Sequence, residues 1–250
     1  MSNVYHPDLA QLQKNVCNCP LLLSYAILDF CSISIDLFKR PICSVLHWYP
    51  PSNQTSSQAE EALLSHLKNI GASVKQSQWW MDCEQFTALP NLSALSGRSF
   101  QVIHTSENES LSFAITEQTN VLVSERSFDT ILTKMSDCYQ PNKLTRIEAK
   151  GKKFEIGDFS IKVGSVSLGP NFKCLVMEVE YKPSSYTKDT LPLLHEFLSI
   201  VCSNLVPVPE NLNQITTPTN STFYQLSDTI LQYKRVFDEC RRVNPNLAMN

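Results

Sequence analysis

From Asp158 to Tyr181 the chain alternates. Phe159, Ile161 and Val163 interleave with Ser160, Lys162 and Gly164, and Leu175, Met177, Val179 and Tyr181 repeat the device after a break. Successive side chains on a strand point to opposite faces, so a period of two commits this stretch to half-buried strands and excludes an amphipathic helix. Lys150-Gly151 and Gly157-Asp158 carry tight-turn chemistry, which predicts hairpins between Leu144 and Pro183. The same alternation divides Lys173, Cys174, Val176, Glu178 and Glu180 between a turn and the opposite face.

Other elements are legible from shorter signals. Ile42 to Trp48 and Tyr49 reads as a strand ended by Pro50-Pro51, since proline removes ladder donors. A helix follows, with Ser57-x-x-Glu60 as a capping box, Leu63, Leu64, Leu67 and Ile70 at helical spacing, and Gly71 as its stop. Short β-type runs come next at Val74 to Phe86, Phe100 to Thr105, Leu111 to Thr116 and Val121 to Val123. Phe128, Ile131, Leu132 and Met135 mark a second helix. Two more helices close the chain, Leu191 to Val206 and Leu226 to Arg242. The expected fold is α+β, an antiparallel, strand-rich, barrel-like domain with flanking helices, because closing about eight sequential strands removes sheet edges. Residues 1–40 form an N-terminal extension outside the core. Residues 41–250 are a single domain, with 207–220 as a surface loop or linker and 226–242 as the C-terminal helix.

Composition bounds the function classes. At 250 residues the chain buries a full core without staples, and 42% hydrophobic with 18% charged residues is a folded, not a disordered, composition. A net charge of -3 does not fit a phosphate-gripping nucleic-acid binder, and 6 glycines against 14 prolines leave little for a phosphate-cradling loop. Nine scattered cysteines with no Cys-x-x-Cys pair read as free thiols in a reducing compartment. Sequons at Asn53, Asn91, Asn108 and Asn220 are what this much Asn, Ser and Thr produces by accident. The apolar run from Pro20 to Cys31 resembles a signal core, but Asp29 interrupts it, Asp36 comes soon after, and no cleavage site follows. No membrane association is expected.

Glu178-Val179-Glu180-Tyr181-Lys182 is the sharpest motif, because i and i+2 on a strand put two carboxylates on one face, where they can share a cation. The bland reading is two glutamates on a solvated strand face. Glu-x-Glu-x-Lys resembles the signature of tunnel-type triphosphate hydrolases. A second Glu-x-Glu is missing around Glu148 and Glu155, so a metal-dependent hydrolase built on Glu178, Glu180 and Lys182 stands as the alternative function. Histidines 47, 66, 104 and 195 have no triad partner in sequence, and Cys83, between Asp82 and Glu84, is a poor nucleophile. Trp79-Trp80 reads as one ring in and one out. Trp79, Trp80, Tyr233 and Phe237 are the candidate partner contacts, since aromatics anchor protein interfaces. No catalytic residue, cofactor or metal site is assigned.

An ordered set of segments carries a family resemblance: Asp82-Cys83-Glu84; Phe128-Asp129 with Leu132 and Lys134; Ile147-Glu148 before Gly151; Asp158 through Val166 followed by Gly169-Pro170; Glu178 through Tyr181 with Pro183; Glu196-Phe197-Leu198; and Asp228-Thr229 with Gln232-Tyr233 and Phe237. From about Ile42 to Arg242 the chain resembles subunit 20 of the Mediator complex, the head-module subunit described as proximal to a TATA-binding-protein-related factor. The resemblance implies a barrel-like sheet with flanking helices and a non-enzymatic nuclear subunit that helps couple regulators to RNA polymerase II. It further implies subunit 18 as direct heterodimer partner and subunit 8 as tether, with no direct nucleic-acid contact. Residues 1–40 have no counterpart in that resemblance.

Overall fold

The computed structural model describes residues 40–50, 53–91, 97–116, 120–202 and 222–242. Strand β1 (Ile42–Trp48) leads into helix α1 (Ser56–Asn69), then β2 (Ser73–Ala88), β3 (Ser99–Thr105), β4 (Leu111–Thr116) and β5 (Val121–Glu125). Helix α2 (Phe128–Lys134) and the short β6 (Tyr139–Pro141) precede three long strands, β7 (Ile147–Ile156), β8 (Phe159–Leu168) and β9 (Asn171–Tyr181). Helices α3 (Thr187–Cys202) and α4 (Leu226–Arg242) follow. The strands make one antiparallel sheet in the order β1-β9-β8-β7-β2-β3-β4-β5, with β6 beside β2.

The sheet does not close. β1 and β5 end the order, and α4 lies against both of them. Helix α4 fills the concave side. Its Ile230, Tyr233, Val236, Phe237 and Cys240 pack on Val45, Met81, Cys83, Ile103, Phe113, Val121, Val123, Ile147, Ala149, Val166, Cys174 and Val176, inward-facing residues from eight strands. The expected barrel is thus an open sheet wrapped around one helix. On the outside, α1 (Leu63, Leu67) and α3 (Leu194, Leu198, Val201) cover Leu46, Trp48, Ile161, Val163, Leu175, Met177 and Val179. This leaves β1 buried along its whole length. A third cluster sets α2 (Phe128, Leu132) on Phe86, Phe100, Val102 and Ala114.

Gln232 protects the edge that closure would have removed. Its side-chain Oε1 accepts from Val45 N at 2.8 Å and its Nε2 donates to Cys43 O at 3.2 Å, which reproduces a ladder partner on the outer edge of β1.

Several local expectations shift. The first helix is capped by Thr55, whose hydroxyl accepts from Gln58 N while Gln58 returns a bond to Thr55 N, so the box is Thr55/Gln58 and not Ser57/Glu60. Lys150-Gly151 is not a turn but the middle of β7, paired with Ser165 and Gly164. A Cβ on Gly151 would lie 1.8 Å from Val163 O, and one on Gly164 would lie 2.0 Å from Lys150 O, so these glycines permit a close crossing of two backbones. Gly157 does supply the β7–β8 turn, and Gly71 ends α1 with φ of 92°. Helix α3 begins at Thr187, before the expected Leu191, and α4 spans the expected Leu226–Arg242. The extension up to residue 39 and the 207–220 loop lie outside the described residues. Six cysteines among the described residues are free thiols, and no described helix is long and apolar enough to cross a membrane.

Candidate functional site

The Glu-x-Glu strand faces inward. Glu178 on β9 is 3% exposed, and its direct cross-strand partner on β8 is Lys162, 4% exposed, so the expected solvated face is instead interior. Lys162 Nζ donates to Glu178 Oε1 at 2.8 Å and also to Glu107, which reaches in from the β3–β4 turn. Tyr233 Oη donates to Glu178 Oε2 at 2.7 Å, and Lys153 Nζ donates to Glu107 Oε1 at 2.7 Å. Charge is balanced locally, two ammonium groups against Glu107 and Glu178, and each carboxylate oxygen has a donor. That is the condition under which buried charge is tolerated.

The titration of these groups follows from the packing. Burial pushes the Glu107 carboxyl up, but the Lys162 and Lys153 ammonium groups overcome it and hold it down at about 2. Burial alone would lower Lys162, yet Glu178 and Glu107 raise it above its ordinary value. Burial and the neighbouring Glu178 raise Tyr233, so its hydroxyl keeps the proton that it donates. Glu180 is half-buried on the same face, and burial and Glu178 raise it as well. Lys182 lies past the end of the strand, 3.7 Å from Glu155. The three residues of the hydrolase motif therefore have different surroundings: one is saturated by internal donors, one is half-buried, and one is outside. Among the described residues no group of three His, Cys, Asp or Glu side chains is placed to hold a metal ion.

The aromatic candidates separate in the same way. Trp79 is 2% exposed, tilted against the Tyr233 ring with centroids 6.3 Å apart, and its Nε1 donates to Val163 O. Tyr233 and Phe237 are wholly buried on the inward stripe of α4. These three are packing residues of the chain's own core, because α4 occupies the concave side of the sheet. Trp80, one residue on, turns to the outer face and is half-buried there.

Trp80 borders a cavity of about 350 Å³ lined also by Asp82, Arg126, Arg146, Glu148 and Lys150. Its charges are arranged in pairs. Arg146 Nη2 lies 2.9 Å from Asp82 Oδ2 and 3.6 Å from Glu148 Oε1, while Arg126 Nε lies 2.7 Å from Asp129 Oδ2. His104 sits behind this wall, with Nδ1 3.5 Å from Asp82 and Nε2 3.1 Å from Asp129 and 3.2 Å from Ser112 Oγ. Burial raises the Asp82 carboxyl, but His104 and Arg146 outweigh it and hold the group below its ordinary value. A Ser, a His and two Asp thus meet although no sequence spacing announces them. Ser112 is 0% exposed, so its hydroxyl is closed to a substrate and the cluster serves to pin α2 on the sheet.

Sequence reasoning missed Glu107, Lys162, His104 and Gln232 as site residues. Lys162 shares the polar half of the β8 alternation with Ser160 and Gly164, which reads as a solvated face, so the sequence carried no sign of its burial.

The chain matches, over residues 40–238, the family described as TATA-binding related factor (TRF) of subunit 20 of Mediator complex. It belongs to the Mediator subunit 20 family. Among relatives named Mediator of RNA polymerase II transcription subunit 20, the chain is 34% identical to the Aedes aegypti protein over 210 residues, which is 80% of this chain and 94% of that one. It is 33% identical to the Anopheles gambiae protein over 80% of this chain and 94% of that one, and 31% identical to the Homo sapiens protein over 74% and 87%. The subunit 20 match begins two residues before β1 and ends within α4, so it takes in the sheet and most of the helix it encloses. The solved Schizosaccharomyces pombe RNA triphosphatase Pct1 aligns at a TM-score of 0.26 and 11% identity over 97% of this chain and 96% of that chain, a likeness too slight to argue for either reading.

Proposed function

We propose that this member of the Mediator subunit 20 family is a non-catalytic subunit of the Mediator of RNA polymerase II transcription, acting in the nucleus through protein contacts in the head module. Subunit 18 is its direct partner, subunit 8 tethers the pair, and the assembly helps couple regulators to RNA polymerase II. The observation that carries this reading is the 34% identity over 210 residues to a protein of that name. The interior supports it: α4 fills the space that a tunnel enzyme would give to substrate, and both Glu178 oxygens already accept from Lys162 and Tyr233.

The test is the composition of material that co-purifies with the tagged full-length chain from its own cells. Mediator subunits, with subunit 18 at equal stoichiometry, are expected; their absence would sink the proposal. The hydrolase alternative is met by a phosphate-release assay with magnesium or manganese. Equal background from the native chain and Glu180→Ala is expected, and release that the substitution abolishes would reverse the assignment.

A further inference from the structure

The outer groove at Trp80 is not explained by folding alone. Its floor is an indole on the outward face of β2, and its walls come from the β5–α2 turn (Arg126) and the start of β7 (Arg146, Glu148, Lys150). The carboxylates are engaged: Asp82 by Arg146 and His104, Glu148 by Lys150 and Arg146, and Asp129 at the rim by Arg126 and His104. The cations keep donors to spare. Arg126 spends Nε on Asp129 and Arg146 spends Nη2 on its two carboxylates, so Arg126 Nη1 and Nη2 and Arg146 Nε and Nη1 have no protein acceptor among the described residues. The Trp80 indole N–H is in the same position, because only its backbone groups are bonded, to Ser106. The six lining residues carry three cations against two carboxylates, Asp129 at the rim balances the third, and the surplus is of guanidinium donors, not of net charge. What remains is a donor-rich recess with an aromatic floor, and ion pairing on a plain solvated face needs neither a recess nor an indole.

We propose that this groove binds an extended acidic peptide segment of a partner protein, with carboxylates on Arg126 and Arg146 and an adjacent apolar side chain on the Trp80 ring. A guanidinium already braced by one carboxylate is held in place for a second, and loses less freedom on binding than a free side chain. Trp and Arg are also the residues in which interface energy concentrates. The proposal rests on the reading of the chain as a protein-binding subunit, and names the chemistry of one contact.

The experiment is fluorescence anisotropy on the full-length chain with a short labelled peptide of Asp and Glu around a central Phe, beside its Asn/Gln counterpart. Saturable binding of the acidic peptide is expected, weakened by salt because the contacts are exposed charges. Trp80→Ala and Arg126→Gln are each expected to weaken it about tenfold or more. Arg126 also holds Asp129, so Lys150→Gln provides a second charge variant that leaves the His104 cluster untouched, and thermal melting checks the fold of each. No binding of the acidic peptide, equal binding of its amide counterpart, or binding unaffected by Trp80→Ala would overturn the proposal. Those results leave co-purification with Mediator untouched, whereas peptide binding without co-purification would sink the broader reading and spare this one.

Discussion

Lys162 is an ammonium group in an apolar interior, and it is stable there only because two carboxylates and a phenol complete its surroundings. Removing one partner of such a network costs far more than the network contributes over an apolar substitute. Lys162→Met is therefore expected to destabilise the chain by about 3–5 kcal/mol, since it strands Glu178 and Glu107 together. Urea denaturation checks this, and Lys162→Met combined with Glu178→Leu should recover part of the loss. Tyr233→Phe keeps the ring and removes only the donor to Glu178 Oε2. A loss of about 1–3 kcal/mol is expected by the same assay, the cost of one unmet buried acceptor.

The same cluster sets a pH dependence. Glu107 is depressed from 4.5 to about 2 in the folded chain, so folding favours its ionised form. Its contribution is fully present above the unfolded value near 4.5 and is lost as pH falls towards 2. Across that window the urea midpoint of the native chain should fall more steeply than that of Glu107→Gln. Parallel curves would show that Glu107 is not held by Lys162 and Lys153.

At the scale of elements, α4 does what strand pairing does in a closed barrel. It buries the inward face of eight strands and offers Gln232 to the edge of β1. A chain ending before Leu226 should therefore keep strand content by far-ultraviolet dichroism yet lose near-ultraviolet signal and expose apolar surface to dye. The β7–β8 crossing gives a second prediction at this scale. Gly164→Ala puts a methyl 2.0 Å from Lys150 O, a backbone atom that cannot swing away. A loss of about 3 kcal/mol or an insoluble product is expected, read by denaturation or soluble yield. Alanine at Gly71, where no atom lies within 4 Å, should cost only the strain of φ at 92°.

At the scale of the whole molecule, membership of the Mediator subunit 20 family and an interior sealed by the chain's own helix both direct attention to the outside. The conspicuous features there are the Trp80 groove and the exposed Leu193 and Ile200 on α3. Substitutions in the Glu178 network should alter stability and partner binding together. Substitutions at Trp80 should leave melting unchanged and alter only binding. Measuring both quantities on both sets distinguishes a core that merely supports the surface from one with a task of its own.

The sequence by itself determined the elements: alternation at 159–181 dictated strands, helical spacing at 226–242 dictated an amphipathic helix, and the order of segments indicated the family. These are properties of neighbours along the chain, and a period of two or of 3.6 survives any tertiary arrangement. What only the tertiary structure decided is which face met what. A regular hairpin from Gly169-Pro170 would set Lys162 opposite Met177; one shift of register after Val166 sets it opposite Glu178 instead and completes the buried pair. Likewise the aromatic stripe of α4 looked the same whether it would meet a partner or its own sheet. It met its own sheet because β1 and β5 stay apart, and among the described residues α4 is the apolar surface that covers the concave face between them.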